Sequence, residues 1–147
     1  MPKYASVTEA HELQQHGHAY IDVRSTAEYA QGHPAGSVNV PLLEPDEGTG
    51  QMAPNPDFIR VIQASFPPDS KLLVGCMVGG RSMRAAQMLE AFGFADVTNV
   101  KGGFAGARDP LGGLVDAGWL EAGLPVSDGA ADGQSYRDLL TKADADS

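Results

Sequence analysis

The sequence predicts an α/β domain built on a mainly parallel sheet, and three patterns indicate this fold class. Short apolar runs alternate with amphipathic helical patterns, two similar helix-start motifs flank the first apolar run, and glycine or proline residues close the elements. A parallel sheet is covered by helices on both faces, because each crossover connection lays a helix against it. The 147 residues, of which 42% are hydrophobic, suffice for one domain with a core.

The first two predicted helices share a capping motif. Ser6-Val7-Thr8-Glu9 and Ser25-Thr26-Ala27-Glu28 both have the Ser-x-x-Glu form of a capping box, in which each partner satisfies a free backbone amide. The first helix is expected to end near Gly17, since glycine favours the left-handed backbone at helix ends. Residues 19–23 then predict a buried strand, and residues 36–40 predict a second, shorter one.

A loop and a helix are predicted next. Residues 43–56 are rich in glycine, proline and acidic residues and lack periodicity, which is typical of a surface loop. Asn55-Pro56 at its end favours a helix start, because proline is well accommodated at the first helical position. The helix is expected to run towards Ser65, and Pro67-Pro68 ends it.

A compact apolar strand precedes the following helical pattern. Lys71–Gly75 predicts the strand, and residues 81–92 predict the helix, which Gly93 closes. Four apolar residues are spaced to share one buried face of this helix: Ala85, Ala86, Leu89 and Phe92.

The remaining elements are short. Asp96–Val100 predicts another strand, Gly102-Gly103 a turn, and residues 113–123 a further short helix around Trp119. Ligands of parallel α/β sheets bind at the carboxyl ends of the strands, so that edge is where a site is expected.

We therefore predict one domain over residues 1–128 and an acidic tail over residues 129–147, either a loosely attached helix or a disordered segment. The net charge of −9, from 19 acidic and 10 basic residues, repels nucleic acids and anionic membranes, and neither is expected as a partner. No secretory signal is visible, and no apolar run reaches the about 20 residues of a membrane span. A cytoplasmic location is the resulting expectation.

Cysteine and histidine usage limits the chemistry. A single cysteine excludes an internal disulfide and any multi-thiolate metal site, and the four histidines show no ligand pairing. No metal site is therefore predicted.

The strongest functional signal is the segment from Cys76 to Ser82, in which a cysteine leaves a buried strand and enters a loop that opens a helix. Backbone amides at a helix start have no partners within the helix, so a loop around that end can point several of them at one spot. Gly79 and Gly80 supply the backbone angles that such a loop needs. The segment predicts an anion site.

This setting favours nucleophilic chemistry at Cys76. A helix start and the charge of Arg81 both stabilise a thiolate, the form of cysteine that attacks sulfur. We expect the thiol to be deprotonated and exposed. A lone cysteine is by itself more often a small core residue, but the coincidence of strand end, paired glycines, arginine and helix start favours the functional interpretation.

The loop and several other segments resemble one protein family. Cys76-Met77-Val78-Gly79-Gly80-Arg81-Ser82 is similar to the active-site loop of the rhodanese superfamily, with four residues between cysteine and arginine. Six further segments between about residues 7 and 126 resemble family signatures in order and type: Tyr20-Ile21-Asp22-Val23-Arg24, Glu28-Tyr29, Gly32-His33, Gly36-Ser37-Val38-Asn39-Val40-Pro41, Lys101-Gly102-Gly103-Phe104 and Gly123-Leu124-Pro125-Val126. The set is specific, although each piece alone is weak.

The resemblance implies a fold and a reaction. The fold would be a three-layer sandwich, with a sheet of about five strands between helices. Cys76 would take a sulfane sulfur from a donor anion such as thiosulfate as a persulfide, and pass it to cyanide or a thiol, including the thiol of a small redox protein, without a cofactor. The donor would be bound by the backbone amides of the loop: Met77, Val78, Gly79, Gly80, Arg81 and Ser82.

Four polar residues resemble structural residues of the family near the site: Asp22, Arg24, Glu28 and His33. Arg24 and Glu28 are four residues apart across the turn into a helix, so an ion pair between them is feasible, which favours a scaffold role over a chemical one. His33 is expected near the mouth of the site as a hydrogen-bonded structural residue.

The chain also departs from the family pattern. His33-Pro34-Ala35-Gly36 replaces the usual order of histidine, apolar residue, proline and glycine, and residues 105–118 look like an insertion that either is a passive surface loop or shapes partner choice. Met77 and Val78 are apolar where thiosulfate-using members place basic residues. This difference predicts that thiosulfate is a poor donor.

Two other functions stay open at this point. A phosphatase or arsenate reductase also uses a cysteine in an anion-binding loop closed by arginine, but such loops resemble a pattern with five intervening residues rather than four. A rhodanese-like sensor or docking module without turnover is the third interpretation, and such modules often lack the cysteine that this chain has.

Overall fold

The computed structural model describes residues 2–129 and 133–146. Its helices are α1 (Val7–Gln15), α2 (Thr26–Gln31), α3 (Phe58–Ser65), α4 (Gly80–Ala91) and α5 (Tyr136–Asp146). Its strands are β1 (Lys3–Ala5), β2 (Ala19–Asp22), β3 (His33–Pro34), β4 (Val38–Asn39), β5 (Leu43–Pro45), β6 (Met52–Pro54), β7 (Lys71–Gly75), β8 (Asp96–Val100), β9 (Ala107–Arg108), β10 (Leu114–Asp116) and β11 (Val126–Ser127). None of the described helices is both long and apolar enough to span a bilayer.

Five strands form one parallel sheet in the order β1-β8-β7-β2-β4. The central strand β7 pairs its Leu73 with Tyr20 of β2 and with Thr98 of β8. Because successive strand residues point to opposite faces, Leu72 and Val74 belong to one hydrophobic cluster and Leu73 to the other.

Helices cover both faces of this sheet. One cluster contains Phe58 of α3, Leu89 of α4 and Leu139 of α5. The other contains Val7 of α1 and Trp119 of the region after β10. A five-stranded parallel sheet between helical layers confirms the predicted fold class.

Both predicted capping boxes are present. At α1, the Glu9 amide donates to Ser6 Oγ at 3.1 Å and the Ser6 amide donates to Glu9 Oε1 at 3.0 Å. At α2, the Glu28 amide donates to Ser25 Oγ at 3.2 Å and the Ser25 amide donates to Glu28 Oε1 at 3.1 Å. The motif therefore fixes where two helices leave their preceding loops.

The segment predicted as a loop at residues 43–56 contains an antiparallel hairpin, in which β5 pairs with β6. Its turn is held by Asp46, whose Oδ2 accepts hydrogen bonds from the amides of Gly48 and Thr49. The hairpin is mostly exposed, so its strands carry no apolar alternation that the sequence could reveal. The following helix begins at Phe58, two residues later than Pro56.

Residues 113–123 do not form the predicted helix. Residues Leu114–Asp116 form β10, which pairs with β9 inside the segment predicted as an insertion, and turns follow around Trp119. The prediction placed a helix around Trp119, but the buried Trp119 side chain is held by packing against distant residues such as Tyr20. The short strand β1, which forms one edge of the sheet, was not predicted.

Helix α5 is more firmly attached than predicted for the tail. It packs against α3, and its Leu139 and Ala143 are only 5% and 2% exposed. These residues are four apart and therefore lie on one face of the helix. Residues 130–132 and 147, which the tail prediction also covers, lie outside the described residues.

Helix α4 matches its predicted span closely, and three of the four residues predicted to form its buried face are buried. Ala85, Ala86 and Leu89 are fully buried, whereas Phe92 is 57% exposed. Phe92 is the C-cap residue, at which the chain turns out of the helix, so the spacing of the buried face no longer applies to it.

Candidate active site

The loop between β7 and α4 holds the sulfur of Cys76 at the carboxyl edge of the sheet. The amides of Gly79 and Ser82 donate to Cys76 Sγ at 3.0 and 3.4 Å. Gly79 is the N-cap residue of α4 and has a φ of +123°, a backbone angle that favours glycine. Two amides at the start of α4 thus point at one sulfur atom, where they can stabilise negative charge.

The hydroxyl of Ser82 also faces this sulfur. The Cys76 thiol donates to Ser82 Oγ at 3.4 Å, and Ser82 Oγ in turn donates to Asn99 Oδ1 at 2.5 Å. Asn99 lies in β8 and is 3% exposed. Its position next to the site was not predicted, because the pairing of β7 with β8 brings it there from a distant part of the sequence.

The burial of Cys76 corrects one expectation. Its side chain is 2% exposed, whereas the sequence predicted an exposed thiol. The sulfur lies in the hydrophobic cluster that includes Val23 and Ala85, at the base of the loop. On the outer side, Val78 is 53% exposed.

The segment of Phe104 and Ala105 binds two backbone carbonyl groups of the loop. The Phe104 amide donates to Cys76 O at 2.8 Å, and the Ala105 amide donates to Met77 O at 2.9 Å. Since the loop carbonyls are held there, the amides of the loop are free to face the sulfur. Gly103 has a φ of +55° and lies so close to the Cys76 carbonyl that a Cβ atom would overlap it. The Gly102-Gly103 pair, which the sequence analysis interpreted only as a turn, was therefore the sequence signal for this contact with the loop.

Arg81 is bound to Glu28 by a bidentate ion pair. Its two terminal nitrogens donate to the Glu28 carboxylate at 2.7 and 3.1 Å, and the two side chains are 23% and 27% exposed. Hydrogen bonds from Arg81 lower the pKa of Glu28 to about 2, against a smaller opposing effect of burial. The same contact raises the pKa of Arg81. The pair ties α2 to the start of α4.

The ion pair between Arg24 and Glu28 that the spacing made feasible does not form. Arg24 instead pairs with Asp22 at 2.7 Å, and both side chains are 2% exposed. Arg24 also donates to the carbonyl of Gly32 at 2.7 Å and stacks over the Phe104 ring, 4.4 Å from its centroid. Arg24 precedes the N-cap of α2, so helical spacing does not govern where its side chain goes.

His33 lies in a different environment from the loop. Its ring stacks on Tyr29 at 3.6 Å, and its Nδ1 is 2.8 Å from the Tyr29 carbonyl. It lines a cavity of about 230 Å³ together with Asn39 and Tyr136, to which residues 76–82 do not contribute. Among the described residues, no group of three or more histidine, cysteine or acidic side chains could hold a metal ion.

The pairing of Glu28 predicts a specific acid sensitivity. A carboxyl whose pKa is lowered by folding stabilises the protein above its unfolded pKa of 4.5, and this contribution is lost as the pH falls towards about 2. Between about pH 5 and pH 3, the free energy of unfolding of the wild type should fall more than that of Glu28→Gln, by about 1 kcal/mol after allowance for solvent screening.

Urea unfolding at the two pH values measures this difference. Glu47→Gln is the matched control, since Glu47 is an exposed carboxylate in the turn between β5 and β6. If Glu28→Gln and Glu47→Gln lose the same stability on acidification, the ion pair has no role in folding.

These features define a class of protein: a parallel α/β domain whose cysteine, between a central strand and a helix start, is surrounded by backbone amides. The family model described as Rhodanese-like domain matches residues 6–109, and the chain belongs to this family.

Known proteins agree with this assignment. Thiosulfate sulfurtransferase 16, chloroplastic, of Arabidopsis thaliana is 37% identical over 126 residues, which cover 86% of this chain and 93% of that protein. Protein HIGH ARSENIC CONTENT 1, mitochondrial, of the same plant is 33% identical over 109 residues, covering 74% of this chain and 56% of that protein, so the match spans about half its length. The crystal structure of Rv0390 from M. tuberculosis has a TM-score of 0.67 at 27% identity, covering 86% of this chain and 100% of that one.

The relatives overturn the cytoplasmic location that the sequence analysis expected. The relative with 37% identity is a chloroplastic protein. The expectation relied on the lack of a visible secretory signal, and that observation carries no information about organelles that do not use such a signal.

Proposed function

We propose that this protein is a sulfurtransferase in which Cys76 carries the transferred sulfur atom as a persulfide. The observation that carries the proposal is the contact of Cys76 Sγ with two amides at the start of α4, at 3.0 and 3.4 Å. A persulfide is an anion at its terminal sulfur, and backbone amides at a helix start stabilise such charge without reorganising. The thiosulfate sulfurtransferase among the relatives supports the same reaction class.

The proposed reaction has two displacement steps. The Cys76 thiolate attacks the outer sulfur of thiosulfate, a sulfur–sulfur bond forms, and sulfite leaves with the electron pair of the broken bond. Cyanide or a thiolate then attacks the outer sulfur of the persulfide, and the Cys76 thiolate is released. Atoms and electrons balance in both steps with donor and acceptor alone.

The remaining loop residues have supporting roles in this proposal. The amides of Met77, Val78 and Gly80, together with those that contact Sγ, bind the donor, and Arg81 positions the loop through Glu28. Because the Cys76 sulfur is buried, side chains on the outer side of the loop have to move before a donor can reach it. Val78 is 53% exposed, so little packed structure has to move.

The interval between Cys76 and Arg81 favours sulfur transfer over phosphate or arsenate chemistry. With four intervening residues the loop is narrow, and two of its amides already converge on one sulfur atom. The arsenic-related name of one relative makes arsenate reduction the activity to test alongside it.

Intact-protein mass spectrometry tests the proposal. The wild-type protein, incubated with thiosulfate or another sulfane-sulfur donor and then desalted, should gain the mass of one sulfur atom and lose it again on addition of cyanide. Hydrolysis of an aryl phosphate and reduction of arsenate are measured in parallel. Lack of the mass gain with every donor overturns the proposal, as does hydrolysis or reduction at a higher rate than sulfur transfer.

A further inference from the structure

A groove lies directly beside the loop that contains Cys76. It has a volume of about 260 Å³, and its apolar lining residues are Met77, Phe104, Ala105 and Leu120. Met77 follows the cysteine in the chain, and the Phe104 amide binds the Cys76 carbonyl. A molecule in this loop groove is therefore next to the segment that holds the sulfur.

The charged residues of the loop groove are already neutralised. Arg24 is paired with the buried Asp22, and Glu28 is paired with Arg81. The groove is thus lined by one guanidinium group, that of Arg24, and one carboxylate, that of Glu28, and each is already paired with an opposite charge. An inorganic dianion in this groove would find no unpaired cationic side chain among the lining residues, whereas an organic group would find the apolar side chains of Met77 and Leu120.

The size of the loop groove limits its occupant. A cavity of about 150 Å³ accommodates a benzene molecule, so a volume of 260 Å³ suits a group of about one ring with a few further atoms. This is below the usual range of about 300–1,000 Å³ for drug-sized ligands. The groove fits a small organic group rather than a large cofactor-like one.

We infer that the loop groove binds the organic group of its sulfur donor, so that small apolar organic sulfur compounds are better donors than inorganic thiosulfate. This inference rests on the proposed sulfurtransferase function and names the substrate class of the same site. Burial of an apolar group against Met77, Phe104 and Leu120 supplies binding free energy that a dianion lacks.

Three sulfur donors distinguish the effect of the donor's charge from the effect of apolar contact between the donor and the groove. Thiosulfate is a dianion, and methanethiosulfonate and benzenethiosulfonate are monoanions that differ from each other only in the organic group. With either thiosulfonate, the Cys76 thiolate attacks the outer sulfur, and the sulfinate leaves with the electron pair of the broken sulfur–sulfur bond. The three reactions therefore form the same persulfide.

The efficiency of sulfur transfer, measured as kcat/KM with cyanide as acceptor, should be at least about tenfold higher for benzenethiosulfonate than for methanethiosulfonate. Thiosulfate should be the slowest of the three. Equal rates with the two thiosulfonates, or a preference for thiosulfate, would overturn the inference while leaving the proposed function standing. Failure of all three donors to load Cys76, seen by intact mass, would instead overturn the proposed function itself.

A charge placed in the groove provides the second test. Leu120 is 52% exposed, so Leu120→Arg should fold, and it should lower kcat/KM for benzenethiosulfonate by about tenfold while raising that for thiosulfate by about threefold. Leu111→Arg is the matched control, because Leu111 is 97% exposed and outside the groove. It adds the same net charge and should change neither value. If both variants change kcat/KM for the two donors in the same way, the effect comes from overall charge and the inference is wrong.

Discussion

Cys76→Ser is expected to abolish sulfur loading and to lower the rate of sulfur transfer at least about a thousandfold. A serine hydroxyl is far harder to deprotonate than a thiol, and it cannot form the sulfur–sulfur bond on which the proposed persulfide depends. The substitution changes one buried atom among the contacts of Gly79 and Ser82, so the fold should be retained. Intact mass after donor treatment and steady-state thiocyanate production measure the two effects.

Ser82→Ala is the comparison that separates the nucleophile from its surroundings. It removes the hydroxyl that lies 3.4 Å from Cys76 Sγ and contacts Asn99, but it keeps the sulfur and the amide of residue 82. The variant should still gain one sulfur atom, at a rate lower by about tenfold. Sulfur loading by Cys76→Ser at a rate similar to that of Ser82→Ala would place the reaction elsewhere in the protein.

Local signals in the sequence predicted much of the fold and the arrangement of the loop at the candidate site. Ser6 and Ser25 predicted two helix starts, because a capping box involves residues only three apart. Gly79, at the end of the loop that precedes α4, predicted the turn into that helix in the same way. The amide contacts of Cys76 follow from that local arrangement.

Contacts between distant segments could not be predicted in this way. The pairing of Arg81 with Glu28 spans 53 residues, and spacing along a helix suggested Arg24 as the partner of Glu28 instead. Asn99 reaches the site through strand pairing. The burial of Cys76 is also a consequence of packing, since the same residue types in the loop suit an open or a covered sulfur.

Two outer elements differ in part from their predictions for a related reason. The β5–β6 hairpin is stabilised by backbone pairing and by the Asp46 turn, neither of which requires apolar residues at regular intervals. Helix α5 is anchored by Leu139 and Ala143, and two buried apolar residues in an acidic segment are a weak sequence signal.

Gly103→Ala is expected to lower both the free energy of unfolding and the rate of sulfur transfer. Gly103 directly precedes Phe104 and Ala105, whose amides bind the Cys76 and Met77 carbonyls of the loop. A Cβ atom at this position would overlap the Cys76 carbonyl oxygen and would lie 2.8 Å from that of Met77. These are backbone atoms, which cannot turn aside as a side chain can. The left-handed φ of +55° adds a cost of about 1 kcal/mol for any residue other than glycine.

Together the overlap and the backbone angle should lower the free energy of unfolding by roughly 3 kcal/mol. Gly112→Ala is the matched control, since Gly112 has a φ of +86° and a Cβ added there would meet no atom within 4 Å, so it reports the cost of the backbone angle alone. Urea unfolding and the rate of sulfur loading are measured on both variants. If they unfold at the same urea concentration and load sulfur at the same rate, the contact of Gly103 with the Cys76 carbonyl neither stabilises the protein nor shapes its loop, and the amides that face the sulfur must be held in place by α4 alone.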